Sequence, residues 1–547
     1  MDLVIGLDFG TDSVRAVVVD TASGAIRGEG VSNYARWARR EFCDADEQVF
    51  RHHPLDYIEA MTSAVRMSTA GLTETEQQSV RAIGFDTTGS TVSPVDRLGV
   101  PLALRTEFER NPDAMFHLWK DHSAVEEAAE LDAALRVWPG EDYRQFQGEY
   151  SAEWFWAKTL HAVRRDKAVR GAAYAWVELT DWVPALLSGR TNPDTMYRCF
   201  SSAGHKALWH GRFGGLPSAA CLDTVDPYLA KVSRRYAPRP GLSTDMVGTL
   251  TEEWGKRLGL PGEIVVGGSS LDAHAGAVGA GIRPGVLVKV LGTSSVDLAV
   301  VREEEIKGES LSSLFGLAQN AVLPGFLGLE SGQSAFGDIF AWFKHLLMWS
   351  VIGHDGISSR TRDEIEHGLL ARLEAAATAL EGSPDGLAAL DWLNGRRYPE
   401  VDYGLKGAFM GLTLGTDAPK MYRALVLAAA FGSKVIFNGI TSAGVELQEI
   451  IAVGGIAQKS PYIMQTLADV LEHPISVSAA AQACALGAAM YAAVAAGVYA
   501  DLPAAQRQMG AGFARIYLPD PARAESLKPL FRDYHRLAAF AQEWSRV

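Results

Sequence analysis

The chain has 547 residues, of which 48% are hydrophobic and 21% charged, a composition typical of a folded protein with sizeable cores. At about 150 residues per domain, this length predicts three or four domains or two large lobes. The 51 Lys and Arg residues against 65 Asp and Glu give a net charge of −14, which argues against a nucleic acid or an anionic membrane as the main partner. A small phosphorylated ligand stays compatible with this charge, because a few local donors suffice to bind it.

The N-terminal region and the cysteines indicate where the protein resides. The first residues include acids where a secretory signal peptide needs a basic segment. The four cysteines form no CxxC pair and no cluster; they are Cys43, Cys199, Cys221 and Cys484. We therefore expect a protein of the reducing cytoplasm, without disulfides or a zinc ribbon.

The chain begins with a pattern that recurs half a chain later. An apolar run at residues 3–7 and a valine-rich, β-favouring segment at 14–19 flank a polar Gly-Thr turn, which predicts a β-hairpin. Without gaps, Gly10-Thr11-Asp12-Ser13-Val14 aligns with Gly292-Thr293-Ser294-Ser295-Val296, a spacing of 282 residues. This repeat predicts two homologous lobes. Their boundary is placed in the Pro- and Gly-containing segment 237–262, with residues 1–255 in the N-terminal lobe and 256–547 in the C-terminal lobe.

The remaining elements indicate an α/β architecture. Buried strands are predicted at 80–85, 264–267 and 449–453, and helices at 56–70, 418–437 and 462–471. The polar, helical segment 349–395 is interpreted as an insertion in the second lobe. The Ala- and Gly-rich segment 479–500 is weakly apolar, which favours a helix packed tightly in a core over a membrane span.

The first hairpin turn carries groups suited to phosphate binding. Gly10 lets the backbone approach a phosphate, and the hydroxyls of Thr11 and Ser13, with the successive N–H groups around Asp12, form an anion-binding concavity. The carboxylate of Asp8, at the end of the strand, could hold Mg²⁺ directly or through water. An ordinary hairpin turn is the alternative interpretation of this motif.

Two further turns extend the pattern. The second copy, at Gly292 and Thr293, has Val290 in the place of Asp8, so only the first copy offers a metal-binding carboxylate. Two copies half a chain apart favour a pair of loops around a polyphosphate over two unrelated turns. A third turn, Gly454-Gly455, follows an apolar strand and precedes a helix, which suits a nucleotide lying against the backbone.

Asp272 is the best candidate for the reactive group. It follows a strand ending in Gly-Gly and opens a small-residue helix, so it could accept a proton from a substrate hydroxyl at the mouth of a cleft. A helix N-cap is the alternative, which the local sequence leaves open. His274, two residues later, lacks the further ligands that a metal site needs. Lys206 and Glu330 are polar candidates for a hydroxylated ligand, with a surface position as the alternative for Lys206.

Together these motifs resemble those of the FGGY carbohydrate kinases, over nearly the whole chain. Asp8-Phe9-Gly10-Thr11, Gly292-Thr293-Ser294, Gly454-Gly455 and Asp272 are similar to the family's first phosphate loop, second phosphate loop, adenosine loop and catalytic base. Strings that add specificity are Phe50-Arg51-His52-His53-Pro54, Asp86-Thr87-Thr88-Gly89-Ser90-Thr91, Leu118-Trp119-Lys120-Asp121-His122, Glu153-Trp154-Phe155-Trp156-Ala157-Lys158, Ser202-Ala203-Gly204-His205-Lys206 and Gly332-Gln333-Ser334-Ala335-Phe336-Gly337-Asp338.

The resemblance implies a fold and a reaction. The fold is the two-lobed actin/hexokinase/Hsp70-like ATPase fold, built from duplicated ribonuclease H-like domains, with ATP and sugar in the cleft between the lobes. The reaction is ATP-dependent phosphorylation of L-ribulose at its terminal hydroxyl to L-ribulose 5-phosphate, a step of L-arabinose degradation, with Mg²⁺.

Site residues are carried over from the resemblance position by position. Gly89, Lys206, Asp272 and Glu330 would contact the ketopentose, with Asp272 as the base, and Asp8 would bind the metal. The nucleotide-binding residues implied in this way are Gly10, Thr11, Asp12, Ser13, Gly292, Thr293, Gly337, Gly454, Gly455 and Gln458.

Two positions depart from the family pattern. Trp119-Lys120-Asp121-His122 and the following Ser123 stand where many members have Trp-x-Asp-x-Arg, so no sugar-binding Arg is carried over. Ala341 stands where some relatives have a polar residue that contacts adenosine, and Gly337 is the better candidate there.

Other functions and assemblies stay open. A kinase of another pentulose such as D-ribulose is the nearest alternative, and a non-enzymatic actin- or Hsp70-like nucleotide switch is a distant one. No nucleic-acid or membrane partner is expected, and the sequence is compatible with a homodimer.

Overall fold

The computed structural model describes residues 2–236, 239–306, 316–380 and 386–545. Its strands, in chain order, are β1 (Leu3–Phe9), β2 (Ser13–Asp20), β3 (Ile26–Asn33), β4 (Cys43–Asp44), β5 (Val49–His52), β6 (Val80–Thr87), β7 (Val92–Val95), β8 (Phe116–His117), β9 (Ala175–Glu178), β10 (Met246–Thr249), β11 (Val265–Leu271), β12 (Val286–Leu291), β13 (Ser295–Val301), β14 (Leu317–Gln319), β15 (Leu327–Gln333), β16 (Ala388–Ala389), β17 (Phe409–Met410), β18 (Glu449–Val453), β19 (Ile475–Ser478) and β20 (Phe513–Tyr517).

The α-helices are α1 (Ala35–Ala38), α2 (Pro54–Thr69), α3 (Glu74–Gln78), α4 (Val125–Val137), α5 (Arg144–Gln147), α6 (Phe155–Arg165), α7 (Lys167–Ala172), α8 (Leu179–Ser188), α9 (Phe200–Ala207), α10 (Ala219–Val225), α11 (Pro227–Ser233), α12 (Glu252–Leu258), α13 (Asp272–Ala280), α14 (Gly337–Met348), α15 (Ser359–Thr378), α16 (Ala418–Ser442), α17 (Gly455–Lys459), α18 (Pro461–Leu471), α19 (Ala483–Ala495), α20 (Leu502–Met509) and α21 (Pro521–Trp544). Short 3₁₀ helices lie at Leu102–Leu104, Pro112–Ala114, Gly211–Phe213 and Glu303–Glu305.

The two large sheets have the same topology at their centres. Among the described residues, the first has the strand order β10-β11-β6-β1-β2-β3 and the second β14-β15-β13-β12-β18-β19-β20. In the first, β1, β2 and β3 form an antiparallel meander, and β1, β6 and β11 are parallel. In the second, β12, β13 and β15 form the meander, and β12, β18 and β19 are parallel. The shared order and directions confirm the predicted duplication and two-lobed α/β fold.

Both predicted hairpins are confirmed, but their turns differ by one residue. Phe9 pairs with Val14 in the first hairpin, and Leu291 pairs with Ser295 in the second. Four residues therefore separate the paired positions in the first turn and three in the second. The gapless sequence alignment therefore matches the first strands of the two hairpins and their Gly-Thr pairs. The positions at which the second strands begin to pair with the first strands differ by one residue.

Two small-residue helices lie between the sheets. α19 packs on β1 and β6 of the first sheet, although it comes late in the chain, and α13 packs on α19 and on the second sheet. A Cβ on Gly487 of α19 would lie 1.9 Å from the carbonyl oxygen of Ala275 on α13, so only glycine permits this approach. The prediction of a tightly packed core helix within segment 479–500 is confirmed.

α16 is long and apolar enough to span a membrane by length and composition alone. Most of it is buried in the core of the second lobe, where it contributes Leu425, Ala428 and Ile436 to the largest hydrophobic cluster. Burial inside the protein accounts for its apolar composition.

Sheet membership changes later along the chain than the predicted division at residues 255 and 256. β11 pairs with β6 in the first sheet, and β12 belongs to the second, so the change falls between Leu271 and Val286. The division into lobes itself stays a prediction, and residues 237–238 of the predicted boundary segment lie outside the described residues. Within segment 349–395 the structure contains α15 and β16, and residues 381–385 lie outside the described residues.

Candidate active site

The carboxyl ends of three neighbouring parallel strands bring acidic residues together. In the first sheet, Asp8 of β1 is in register with Asp86 of β6, and Asp86 is in register with Ser270 of β11. Asp272 follows directly after β11 as the first residue of α13. Because parallel strands end at the same edge of a sheet, carboxylates far apart in the chain face one cleft.

Asp272 is held at the start of α13 without capping it in the usual way. The N-cap residue is Leu271, which makes no side-chain capping bond, and Asp272 Oδ1 accepts a hydrogen bond from the Ala273 N–H at 2.7 Å. Burial raises the pKa of Asp272 to about 7, and the Asp8 carboxylate contributes in the same direction. A carboxylate with a pKa near neutrality is suited to accept a proton from a hydroxyl.

Asp8 and Asp86 form an acidic centre beside Asp272. Asp8 is 4% exposed and its Oδ2 accepts a hydrogen bond from Arg15 Nη1 at 3.0 Å. Asp86 is fully buried, and neither of its carboxylate oxygens meets a hydrogen-bond donor among the described residues. Burial raises the pKa of Asp86 well above its ordinary value, and Asp8 and Asp272 raise it further. Asp86 stands in one of the strings that resemble the family, at the end of a buried strand, but the sequence indicated no role for it in the site.

This centre fits a hard divalent cation. Asp8, Asp86 and Cys484 place one ligand atom each within 4.8 Å of one another. Mg²⁺ prefers carboxylate oxygens, and the unsatisfied Asp86 oxygens beside Asp8 match that preference. Burial and the Asp8 charge raise the pKa of the Cys484 thiol well above its ordinary value, so it does not supply the thiolate that soft metals need.

Gly89 and Lys206 lie together on the sugar side of the predicted site. A Cβ on Gly89 would stand 3.1 Å from Leu271 Cδ2 and 3.3 Å from Lys206 Cε. Lys206 is in the last turn of α9, and its Nζ lies 5.9 Å from the centre of the Trp154 ring. The ammonium group therefore lies in the cleft and not on the outer surface.

Glu330 of β15 completes this side of the pocket. Burial would raise the pKa of Glu330, but the charge of Lys206 and a hydrogen bond from His274 hold it well below its ordinary value. Asp272 interacts electrostatically with both Glu330 and Lys206. The structure thus brings the four predicted substrate residues into one pocket, from both lobes.

The first phosphate turn is held by backbone and indole groups. The Gly10 N–H donates to the Ser13 carbonyl oxygen at 3.0 Å, which closes the turn. Trp119 Nε1 donates to Thr11 Oγ1 at 3.0 Å. Because the Trp119 indole N–H can only donate, the Thr11 hydroxyl proton stays available for an anionic ligand.

The second phosphate turn is fastened to the start of α14. The Gly337 N–H donates to the Gly292 carbonyl oxygen at 3.0 Å, and the Phe336 N–H donates to the Thr293 carbonyl oxygen at 2.8 Å. Two of the predicted nucleotide-binding segments therefore form one unit.

The third turn lies beside the second. Gly454 has φ +104°, and a Cβ there would stand 2.4 Å from the Leu291 carbonyl oxygen, so this position requires glycine. Around Gly455 a Cβ would meet nothing within 4 Å. The backbone around Gly455 is therefore open, as the predicted nucleotide-binding turn requires.

Two predicted nucleotide-binding residues have side chains engaged elsewhere. Asp12 Oδ1 accepts a hydrogen bond from Trp37 Nε1 at 2.6 Å. Gln458 Nε2 donates to the Ser478 carbonyl oxygen at 2.7 Å. Because the Asp12 side chain is already hydrogen-bonded, Asp12 can contact a phosphate only through its backbone N–H.

The structure shows what Asp121 and His122 contact in the segment that departs from the family pattern. Asp121 Oδ2 accepts a hydrogen bond from the Phe50 N–H at 2.7 Å and forms an ion pair with Arg51, and both partners of the pair are fully buried. His122, the next residue, lies 3.0 Å from Glu153 Oε1 through its Nε2. Asp121 therefore stabilises the interior of the first lobe through these buried contacts.

Three pocket residues received no role from the sequence; His274 was set aside because no further metal ligands were visible, and the structure places His205 and Glu330 beside it. His205 and His274 are buried with ring centres 5.1 Å apart, and each offers a nitrogen within 4.8 Å of a Glu330 oxygen. Arg397 interacts electrostatically with Glu153 and Glu330. Each histidine stands within two residues of a predicted site residue, which was a usable signal; Arg397 had none.

Comparisons with known proteins agree with this geometry. The model of the FGGY family of carbohydrate kinases, C-terminal domain, matches residues 287–496. The chain is 41% identical to "Ribulokinase" of Vibrio parahaemolyticus, over 99% of this chain and 98% of that protein, and 35% identical to "Ribulokinase" of Shouchella clausii, over 97% and 94%. Among solved structures, xylulose kinase from Rhodospirillum rubrum has a TM-score of 0.77 at 22% identity, covering 100% of both chains. Glycerol kinase from Plasmodium falciparum with ADP has a TM-score of 0.76 at 17% identity, covering 98% of each. These two structures share the fold with this chain.

Proposed function

The chain belongs to the FGGY family of carbohydrate kinases, and we propose that it transfers the γ-phosphoryl group of ATP to the terminal hydroxyl of L-ribulose. The product would be L-ribulose 5-phosphate, as in L-arabinose degradation. The names of the relatives at 28–41% identity over at least 97% of this chain support the substrate. The observation that carries the proposal is Asp272, a carboxylate with a pKa of about 7 between the phosphate turn and the sugar-side groups.

Asp272 would act as the general base. The terminal hydroxyl oxygen attacks the γ-phosphorus while the bond from the γ-phosphorus to the β,γ-bridging oxygen breaks and ADP leaves. The hydroxyl proton passes to the Asp272 carboxylate, which its raised pKa favours. Phosphoryl transfer otherwise requires in-line positioning and charge neutralisation.

Lys206 and Glu330 would hold the sugar in an extended conformation. The ammonium group of Lys206 donates to hydroxyl or carbonyl oxygens, and the ionised Glu330 accepts from hydroxyl groups. Gly89 leaves room for the sugar, because any Cβ there would press on Leu271 and Lys206.

The turns around Gly10, Gly292 and Gly454 would bind ATP through backbone N–H groups, together with the Thr11 hydroxyl. We propose that Asp8 and Asp86 hold Mg²⁺, which when bound neutralises the charge that develops on the phosphoryl oxygens. Closure of the lobes would exclude water and limit hydrolysis of ATP.

A comparative turnover screen tests the proposal. L-Ribulose, D-ribulose, L-xylulose and glycerol are supplied separately with ATP and Mg²⁺, and ADP release is followed. We expect the highest kcat/KM with L-ribulose and little ADP release without sugar. Negligible activity on L-ribulose beside strong activity on another sugar would refute the substrate. ADP release that no sugar stimulates would indicate a nucleotide switch instead.

Three expectations from the sequence stand as proposals. A cytoplasmic location is supported by the free state of all four cysteines. A homodimer and the lobe division at residues 255 and 256 rest on the sequence alone.

A further inference from the structure

His274 lies at the back of the sugar pocket between two hydrogen-bond acceptors. It is on α13, two residues after Asp272, and its side chain is fully buried. Its Nδ1 lies 3.1 Å from the Ala321 carbonyl oxygen, and its Nε2 lies 3.1 Å from Glu330 Oε2. A buried ring held at both nitrogens has a restricted set of protonation states.

One of the two acceptors determines the position of a proton. A carbonyl oxygen only accepts, so Nδ1 of His274 carries a proton. Glu330 is ionised, because Lys206 and His274 hold its pKa well below the ordinary value against the effect of burial. The second ring nitrogen, Nε2, shares a hydrogen bond with Glu330 Oε2, so the His274 ring links the Ala321 carbonyl oxygen to the Glu330 carboxylate.

We propose that His274 is a positioning residue for sugar binding: anchored on Ala321, it fixes Glu330 through Oε2 and leaves Oε1 for a sugar hydroxyl. No described residue donates a hydrogen bond to Oε1. Because the His274 ring is fully buried and held at both nitrogens, its bond to Oε2 holds Glu330 in one orientation before the sugar arrives. This role rests on the proposed function, since it takes Glu330 as a sugar contact.

The charged and titratable groups that face His274 and Glu330 come from several elements, and they include Arg397, whose charge also acts on Glu330. Glu330 on β15 and Asp272 on α13 supply negative charge. From α9, the Lys206 ammonium group faces Glu330, and the His205 ring centre lies 5.1 Å from that of His274. Burial lowers the pKa of His205 to about 3, so its ring is neutral and adds no positive charge beside His274.

A double-mutant cycle separates positioning from a merely structural role. We expect His274→Gln to raise the KM for the sugar about tenfold or more, while kcat and the KM for ATP change less than threefold. In a Glu330→Gln background, His274→Gln should raise the sugar KM less than twofold further, because the two residues act as a unit. His367→Gln, on the exposed face of α15, is the matched control and should behave as the wild type.

The cycle is run with whichever sugar the turnover screen finds to be the best substrate. A wrong substrate and a wrong role for His274 then give different results. An unchanged sugar KM in His274→Gln, or an equal effect of that substitution in both backgrounds, would overturn the proposal.

A second measurement uses the unaltered protein. In wild-type protein with ¹⁵N-labelled histidine, the proposal predicts one buried ring whose Nδ1 carries a proton, as its hydrogen bond to the Ala321 carbonyl oxygen requires. Absence of such a ring would contradict it. Stoichiometric zinc in elemental analysis, held by His205, His274 and Glu330, would contradict it too, because the Nε2 lone pair would then bind metal.

Discussion

Replacing Asp272 with Asn removes the proposed base while keeping the shape of the side chain. Loss of a positioned general base costs about 10²–10⁴-fold in rate, so we expect kcat to fall by that factor. The KM values for sugar and ATP should change less than threefold, because Lys206, Glu330 and the phosphate turns are untouched. The control is Asp363→Asn on the exposed face of α15, which should keep wild-type kinetics.

The same substitution should stabilise the protein, and the sign follows from the pKa. In the unfolded chain Asp272 ionises near its ordinary value of 3.8, whereas in the folded protein burial raises the pKa to about 7. Between these values the folded state binds more protons than the unfolded state, so this group lowers stability as the pH rises from about 4 to 7. The difference corresponds to at most ~4 kcal/mol above pH 7.

Urea denaturation in metal-free buffer measures this difference. At pH 4, Asp272→Asn and the wild type should have similar free energies of unfolding. At pH 8 the variant should be more stable, by up to the ~4 kcal/mol that the pKa difference allows. Near-normal kcat in Asp272→Asn, or a stability difference that does not change with pH, would refute the reasoning about Asp272.

Three further predictions concern the other groups of the site. Lys206→Met should raise the KM for the sugar about 10–100-fold through loss of a charged hydrogen bond, with the KM for ATP changed less than threefold. The exposed control Lys528→Met should have no effect, and a normal sugar KM in Lys206→Met would exclude the contact. Gly454→Ala should lower the free energy of unfolding by about 1–3 kcal/mol and raise the KM for ATP, because its Cβ would stand 2.4 Å from the Leu291 carbonyl oxygen. An unchanged midpoint of thermal unfolding in Gly454→Ala would contradict the predicted loss of stability. Asp8→Asn should increase the Mg²⁺ concentration for half-maximal activity about tenfold, on the order of one lost charged contact, and superimposable Mg²⁺ titrations would show that Asp8 does not bind the metal.

The duplicated fold could be predicted because its signal is local. The Gly-Thr hairpin is a short continuous segment, and its recurrence after 282 residues is visible in the sequence alone. The one-residue difference between the turns was not visible, since it depends on pairing: Ser295 pairs with the first strand of its hairpin, whereas in the first hairpin that pairing begins at Val14, after Ser13. The sheet membership of β11 depends on its pairing with β6, which no local pattern encodes.

The site was predicted only as far as its residues lie in recognisable strings. The structure brings together Asp272, Lys206 and Glu330, which the sequence singled out. Asp86 stands in a recognisable string, but its place beside Asp8 depends on the pairing of two strands. Arg397 was missed because its neighbours Glu153 and Glu330 come together with it only through tertiary packing. Sequence also could not show that the Gln458 side chain bonds the Ser478 carbonyl oxygen.

A structure of the protein with L-ribulose and a non-hydrolysable ATP analogue tests the central claim most directly. The distance to measure joins the Asp272 carboxylate to the terminal hydroxyl oxygen of the sugar. We predict that it is within hydrogen-bond reach, about 2.6–3.2 Å, with the γ-phosphoryl group on the other side of that hydroxyl. A terminal hydroxyl bound to a different base, or a sugar seated away from Asp272, would contradict the account.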